Sequence, residues 1–346
     1  MAAPGIDLRA EEALGRTTVE WAEPGRFLLS QRHELFESGD LRPPFRRLGA
    51  FPAPAWKRAA SVLRLGQRAL RFMYWNVLPL QDGSIFLTFA KSIGLYRHGA
   101  IATLGGLERP CRILRRGAAL AADGTVYFGE YLLNPERGAM RVYRYAPGDD
   151  RVEIAHVFPA GAVRHIHGIF ADPYEGGLWC LTGDVGAECR ILRTMDGFRT
   201  LDTIGSGDET WRSVSILFSP DAIYYAMDAE FTQNYIYRID RKSGERTRLT
   251  AVDGPVYYSH TAGNDHYFAV TAELCPSQKG RAAELWRVRD DGSCKRVLTL
   301  EKDRYSVKYF MPGTIDFPRG PGLPDKLLFR ATALAGDNRT FSLGLG

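Results

Sequence analysis

The sequence lacks any long, uninterrupted apolar run. Its 346 residues are 45% hydrophobic and 25% charged, and no segment reaches the roughly 20 consecutive apolar residues that a transmembrane helix needs. The segment Met1–Glu23 contains acidic side chains and no apolar core of the kind found in a secretory signal. We therefore expect no transmembrane segment and a cytoplasmic location.

Cysteine is scarce, and its pattern excludes one common type of site. The five cysteines are odd in number and lack the close pairs of a zinc ribbon. We expect reduced and mostly buried thiols at all five positions, which are Cys111, Cys180, Cys189, Cys275 and Cys294.

Strong charge and nucleotide-binding motifs are also missing. The formal net charge is only +5, with arginines scattered along the chain, so a nucleic-acid-binding surface is not indicated. No glycine-rich turn leads from a strand into a helix, which leaves out phosphate-binding loops, dinucleotide fingerprints and serine nucleophile elbows. An anionic small or polymeric substrate remains compatible with the positive sign.

What the sequence does contain is a repeat. A triplet of two apolar residues and an arginine recurs five times at a spacing of 45 to 49 residues, and most copies follow a strand-like apolar run that begins after a turn. The triplets are Leu95–Arg97, Val142–Arg144, Ile191–Arg193, Ile236–Arg238 and Leu285–Arg287. Weaker copies lie near both termini, which makes about seven units.

A period in the forties with four short strands per unit is typical of a β-propeller. We therefore predict an all-β fold of seven four-stranded antiparallel blades, with six blades as the alternative, in a single domain over residues 1–346. The last unit shows three evident strands, so Thr17–Trp21 or a nearby N-terminal segment is expected to close the ring. Residues 46–70 do not fit the repeat and predict an insertion with a short basic amphipathic helix. Packing of this helix on the propeller is favoured over a membrane-surface role.

Two histidines form the most specific candidate site. His165 and His167 lie at i and i+2 on a short apolar strand, so they share one face of it, next to Arg164. Either the two histidines have a function, or they are buried with their hydrogen bonds satisfied and have a structural role. A divalent metal held by both histidines is a further alternative, with Glu130, Asp184 or His260 completing its ligands.

Acidic residues recur at the end of the second strand in four successive units, at Glu130, Asp184, Asp228 and Glu273. They are interpreted either as a ring of carboxylates facing a cavity or as caps that bind backbone amides in turns. Other polar or aromatic candidates near the channel are Tyr131, Trp211, Arg212 and His260.

Several segments resemble the BNR or Asp-box propellers, a sialidase-like superfamily common among carbohydrate-active proteins. They are Arg164–Gly168, Thr182–Asp184, Ile191–Phe198 and Tyr224–Asp228, and Thr194–Thr200 is a degenerate copy of the Asp-box pattern Ser-x-Asp-x-Gly-x-Thr-Trp. The chain also resembles the seven-bladed propeller polysaccharide lyases and rhamnosidases that act around uronic acids with histidine and tyrosine. The resemblance implies an acidic, uronate-containing poly- or oligosaccharide as the substrate.

Two classes of function follow as hypotheses. In the first, the protein cleaves an acidic glycan by β-elimination, with His167 or His165 as base, Tyr131 as acid, and Arg212 with Arg164 as neutralising cations. Glycoside hydrolysis by two of the four carboxylates is the variant within this class. In the second, the protein is a non-catalytic propeller that binds a glycan or a protein partner.

Overall fold

Seven four-stranded antiparallel sheets form a ring around a central channel in the computed structural model, which describes residues 7–345. The chain runs outward through each blade, so that the first strand of a blade faces the channel. In four pairs of successive blades, the first strands also contact each other. The predicted seven-bladed β-propeller is confirmed, and the six-bladed alternative is wrong.

The strands occupy four positions in the blades. The innermost strands are β2 (Thr18–Glu23), β6 (Tyr74–Pro79), β10 (Ala118–Leu120), β14 (Ile166–Ala171), β18 (Ile216–Phe218), β22 (Val256–Ala262) and β26 (Thr314–Asp316). The second strands are β3 (Arg26–Gln31), β7 (Ile85–Phe89), β11 (Val126–Gly129), β15 (Leu178–Thr182), β19 (Ala222–Ala226), β23 (Asp265–Val270) and β27 (Lys326–Thr332). The third strands are β4 (Glu34–Ser38), β8 (Ser92–Arg97), β12 (Met140–Tyr145), β16 (Arg190–Thr194), β20 (Asn234–Asp240), β24 (Ala282–Val288) and β28 (Thr340–Gly344). The outermost strands are β5 (Arg46–Ala50), β9 (Ala100–Thr103), β13 (Glu153–Phe158), β17 (Asp202–Ser206), β21 (Arg246–Val252), β25 (Cys294–Glu301) and β1 (Leu8–Ala10).

The repeated triplets of the sequence all lie in third strands, beginning with Leu95–Arg97 in β8. The second strands are the most apolar because neighbouring blades cover both of their faces, and every residue of β15 is buried. Asp-Gly turns connect the first and second strands of two blades, at Asp82-Gly83 and Asp123-Gly124. In the turn at Asp82, the carboxylate accepts the backbone N–H of Ser84 at 2.9 Å, and Gly83 adopts a positive φ of 80°. These local preferences explain why the repeat can be recognised in the sequence.

An N-terminal strand closes the ring. Strand β1 pairs antiparallel with β28, with Leu8 opposite Leu343 and Ala10 opposite Phe341. The first and last blades are thereby joined through the N-terminal segment, as predicted. The segment Thr17–Trp21 is not that strand, because most of it belongs to β2, the innermost strand of the first blade.

The insertion is helical but shorter than predicted. Its first five residues, 46–50, form β5 of the first blade, since their backbone pairs with β4. Two short helices follow, α1 (Ala55–Ala60) and α2 (Arg64–Leu70), and a third, α3 (Val307–Phe310), packs against α2. Buried Arg68 anchors α2 to the last two blades by donating to Asp303 at 2.6 Å and to the carbonyl of Phe310 at 2.7 Å. Helix α2 is therefore anchored on the propeller, and α1 contacts α2.

All five cysteines are free thiols, and Cys111, Cys180 and Cys189 are buried. Among the described residues, no helix has both the length and the apolar character required to cross a membrane.

Candidate functional site

The channel opens into a cavity at each end. The N-side cavity, about 370 Å³ in volume, lies where the innermost strands begin, and the C-side cavity, about 390 Å³, lies where they end. The strands are antiparallel within a blade, so the ends of the second strands meet the beginnings of the first strands at the N-side cavity. Most of the predicted site residues gather there, namely Tyr131, Arg164, His165, His167, Asp184, Arg212, Asp228 and Glu273.

His165, His167 and Asp184 form a compact cluster on the wall of the N-side cavity. The Nε2 atoms of the two histidines are 3.1 Å apart, and they lie 3.2 Å and 3.4 Å from Oδ1 of Asp184. All three side chains are buried. Three potential metal-binding atoms therefore converge on a single point.

Hydrogen bonds on the far side of both rings fix their tautomers. Nδ1 of His167 lies 2.8 Å from the carbonyl oxygen of Ser213, and Nδ1 of His165 lies 3.3 Å from that of Leu132. A carbonyl oxygen only accepts, so both Nδ1 atoms carry the proton and the neutral rings direct their Nε2 lone pairs at Asp184. Lone pairs at such distances repel unless a cation lies among them. Either one imidazole is protonated, or the cluster binds a metal ion.

The cluster fits a divalent metal ion. Backbone carbonyls that orient the outer nitrogen of each ligating histidine are the usual support of a metal site. Two nitrogens and one carboxylate oxygen provide three ligands, which leaves positions open toward the cavity, as in catalytic metal sites. These residues would hold the predicted metal at His165 and His167, and of the two carboxylates suggested for it, Asp184 is the one in place.

Asp184 is the electrostatic centre of the cluster. Burial would raise the pKa of its carboxyl, but the contacts with the side chains of His165 and His167 hold that pKa well below its usual range. Arg164 contacts Oδ2 at 2.9 Å, and Arg212 contacts Oδ1 at 3.3 Å. Asp184 is therefore ionised, and it forms ion pairs with both arginines that were predicted to neutralise the substrate.

Two further acids next to Arg212 have the opposite tendency. Asp228 accepts from Nε of Arg212 at 3.3 Å, and burial together with the charge of Glu273 raises the pKa of Asp228 well above its usual value. Glu273 accepts from the hydroxyl of Tyr257 at 2.6 Å, and burial raises its pKa. One carboxylate oxygen of each acid is buried and has no hydrogen-bond partner among residues 7–345. The cavity thus combines two carboxyls of raised pKa with one of lowered pKa.

Another part of the cavity wall carries two cations that the sequence did not reveal. Arg71 and Arg112 line the cavity, and neither forms an ion pair with a carboxylate within the described part of the chain. Arg112 lies over the ring of Trp75 at 5.1 Å, and its buried Nε has no hydrogen-bond partner in the described part of the chain. Burial lowers the pKa of both guanidiniums, and Arg71 lowers that of Arg112 further. This wall therefore presents uncompensated positive charge to the cavity.

Tyr131 stands between the cluster and the arginine wall. Its ring centroid lies 4.2 Å from that of His165, and its hydroxyl makes no hydrogen bond within residues 7–345. Burial, with the charges of Asp228 and Asp184, raises its pKa to about 12. The phenol therefore carries its proton at neutral pH and is able to donate it.

Three predicted site residues lie elsewhere. Glu130 is fully buried, accepts two bonds from Arg109, at 3.0 Å and 2.6 Å, and is not among the residues that line the N-side cavity. Trp211 packs on Tyr225 with the guanidinium of Arg246 above its ring at 3.9 Å. His260 lines the C-side cavity and is therefore no third ligand for the histidine cluster.

Comparisons with known proteins add fold-level similarity. No protein-family model matches the chain, and no curated protein matches it in sequence. Among solved structures, an oligogalacturonate lyase in complex with manganese aligns with a TM-score of 0.64 and 10% identity over 99% of this chain and 96% of that one. An oligogalacturonate lyase from Vibrio parahaemolyticus gives 0.61 and 9% over 99% and 92%.

A chain of the mitotic checkpoint complex also aligns, with a TM-score of 0.57 and 9% identity over 100% and 93%. Proteins with such different roles share the propeller, so these similarities show the fold and leave function to the site. Membership of the BNR or Asp-box superfamily stays a prediction. The degenerate turn Thr194–Thr200 does fold on its aspartate, because Asp196 accepts the N–H of Thr200 at 2.9 Å and its hydroxyl at 2.8 Å.

Proposed function

We propose that the protein binds a uronate-containing oligosaccharide in the N-side cavity and cleaves it by β-elimination. The observation that carries this proposal is the presence of two groups in one cavity: Arg71 and Arg112, which form no ion pair within residues 7–345, and the cluster of His165, His167 and Asp184. A carboxylated sugar complements both groups, because its carboxylate binds guanidinium groups and a metal ion alike. The two lyase structures of the same fold are consistent with this substrate class.

Carboxylate binding is assigned to Arg71 and Arg112. Arg164 and Arg212 are already neutralised by acids, so a substrate carboxylate gains less from them than from the free pair. Burial strengthens the attraction, since water screens it less inside the cavity. This assignment replaces the one made from the sequence.

The histidines are assigned to a divalent cation. In the cluster, the Nε2 atoms that would accept a proton are the same atoms that would bind a metal, so one histidine cannot do both at once. A metal bound there would supply a Lewis acid that polarises the substrate carboxylate and acidifies the adjacent C–H group.

Proton transfer is assigned to Glu273 and Tyr131. The carboxylate of Glu273, which lines the cavity, accepts the proton from the carbon next to the substrate carboxylate, and its raised pKa makes it a stronger base. The electron pair of that C–H bond becomes the new C=C bond, and the C–O bond to the neighbouring sugar breaks. The departing oxygen takes the hydroxyl proton of Tyr131.

The test is incubation with oligogalacturonate while the ultraviolet absorbance of the unsaturated uronate product is followed. The wild type should produce this signal, and Tyr131→Phe should reduce the rate by about a hundredfold or more, as expected for loss of a general acid. Tyr96→Phe, on strand β8 outside the cavity, is the matched control. Wild-type protein that gives no signal with or without Mn²⁺ would refute β-elimination of this substrate.

Glycoside hydrolysis is the second candidate, favoured by one observation. A carboxyl with a raised pKa, Glu273 or Asp228, lies in one cavity with ionised Asp184, which is the division of roles that glycosidases use. Hydrolysis releases reducing ends without ultraviolet absorbance. Binding without either product would support the non-catalytic alternative.

A further inference from the structure

The C-side cavity is built differently from the N-side cavity. Its walls combine apolar side chains, including Leu78, Ile216 and Phe218, with basic and hydroxyl groups. Within residues 7–345, no aspartate or glutamate lines it. It lies at the opposite end of the channel from the histidine cluster and shares no lining residue with that site.

Two guanidinium groups in this cavity lack counter-charges. Arg116 donates to the carbonyl oxygens of Pro318 at 2.6 Å and Phe317 at 3.3 Å, and Arg319 donates to the carbonyl oxygen of Arg116 at 2.9 Å. Neither forms an ion pair within residues 7–345. The nearest acids are engaged elsewhere, because Glu20 and Asp316 each lie 2.9 Å from Arg115.

The pKa of each of these two guanidinium groups is lowered because no opposite charge compensates for its burial. Burial and the repulsion of Arg319 and Arg115 lower the pKa of Arg116 to about 9. Burial and Arg115 lower the pKa of Arg319 to about 10. Arg116 also holds a left-handed backbone with a φ of 65°, which non-glycine residues adopt at a cost.

Other groups in the cavity are donors without acceptors. Nη2 of Arg116 lies 3.2 Å from Nδ1 of His260, and since arginine only donates, the proton of the neutral imidazole is on Nε2. The hydroxyl oxygens of Ser215 and Ser259 are buried and unpartnered within the described residues, as is the indole nitrogen of Trp21. Buried polar groups without partners are uncommon unless a ligand or water satisfies them.

We propose that the C-side cavity is a binding site for a small organic anion, a carboxylate or phosphate with an apolar body. The anionic group would bind Arg116 and Arg319, and the serine hydroxyls and the Nε2–H of His260 provide further donors. The apolar wall would cover the remainder of the ligand. This site is independent of the proposed uronate site and opens on the other face of the ring.

The test uses the full-length protein carrying Arg112→Gln, so that the other anion-binding wall is disabled. Phenyl phosphate and benzoate are titrated by calorimetry as probes of the two anion classes, with phenol as the neutral counterpart. Adding Arg319→Gln should weaken binding of the tighter probe at least tenfold. Arg42→Gln, an exposed arginine elsewhere on the surface, is the matched control and should leave binding unchanged.

Two outcomes would overturn the proposal. One is the absence of saturable binding of both anions to the Arg112→Gln protein at millimolar concentrations. The other is an equal affinity with and without Arg319→Gln. If Arg319→Gln does not fold, Ser215→Ala in the same background removes one donor from the cavity and should weaken binding at least threefold, and unchanged affinity would count against the site.

Discussion

A buried triad of ion-paired residues lies across the channel, and its loss should lower the free energy of unfolding. Arg115 is 7% exposed and lies 2.9 Å from Glu20 and 2.9 Å from Asp316, which are each 3% exposed. These three residues join the first, third and last blades across the channel. Arg115→Met keeps most of the side-chain volume and removes the charge together with the guanidinium hydrogen-bond donors, so it tests the polar contribution of this side chain.

The expected loss follows from the acids left behind. Without Arg115, Glu20 retains a hydrogen bond from Ser30 at 2.6 Å, and Asp316 retains Arg330 at 3.5 Å. Breaking a buried ion pair by removing one partner costs about 3–5 kcal/mol. We therefore expect Arg115→Met to lower the free energy of unfolding by about that amount.

Urea unfolding monitored by circular dichroism measures the difference. The matched control is Arg144→Met, because Arg144 pairs with Glu153 at 2.6 Å but both side chains are about half exposed. Exposed pairs contribute about 0–1 kcal/mol. Equal losses in the two variants would refute the claim that the channel triad is an electrostatic support of the ring.

Three further predictions concern closure, metal and acid. Removal of residues 1–10 deletes β1 and its backbone hydrogen bonds, so the free energy of unfolding should fall by about 2–4 kcal/mol, whereas a truncated chain that unfolds like the full-length protein would contradict ring closure by this strand. His167→Gln should weaken Mn²⁺ binding in calorimetry at least about tenfold, while His156→Gln, on β13 outside the cavity, should not, and equal affinities would exclude the cluster as a metal site. Hydrogen bonds from Arg64 outweigh burial and lower the pKa of Asp337, so the pair's stability is present above the unfolded pKa of about 3.9 and is lost as pH falls through the lower folded value. Urea titrations should therefore show Arg64→Met losing less stability than the wild type on acidification below about pH 4, and parallel losses would contradict this linkage.

The fold was predictable because its information is local and repeated. Each blade carries its own turn and strand signals, such as Asp82-Gly83 before β7 and the triplet Leu95–Arg97 in β8. The closing strand was harder to predict from the sequence, since β1 has only three residues and none of them is buried. Its position is decided by pairing with β28 at the far end of the chain.

The site was predictable only in part. His165, His167 and Asp184 belong to one blade, so their spacing along the chain already suggested proximity. Arg71 and Arg112 were missed because they lie outside the repeated positions, one after α2 and one in a connection between blades. No pattern distinguishes them from the many paired arginines.

The prediction that placed Glu130 at the cavity also depended on repeated positions. Glu130 occupies the same position in its blade as Asp184 does in the next, and the repeat therefore assigned both to the cavity. The difference is Arg109, which reaches Glu130 from the preceding connection and buries it. A repeat in the sequence cannot predict a partner that comes from a connecting segment.

Binding of an acidic disaccharide tests the central claim most directly, because lyase, hydrolase and binding protein all require it. Digalacturonate and its neutral counterpart, a galactose disaccharide, are titrated into the wild type, Arg112→Gln and the exposed control Arg151→Gln by calorimetry. Charged hydrogen bonds contribute about 1.5–3 kcal/mol each, roughly a ten- to hundredfold change in affinity. We predict that the wild type and Arg151→Gln bind the acidic sugar at least about tenfold more tightly than the neutral one, and that Arg112→Gln loses this preference. Equal affinity of the wild type for both sugars would contradict the account.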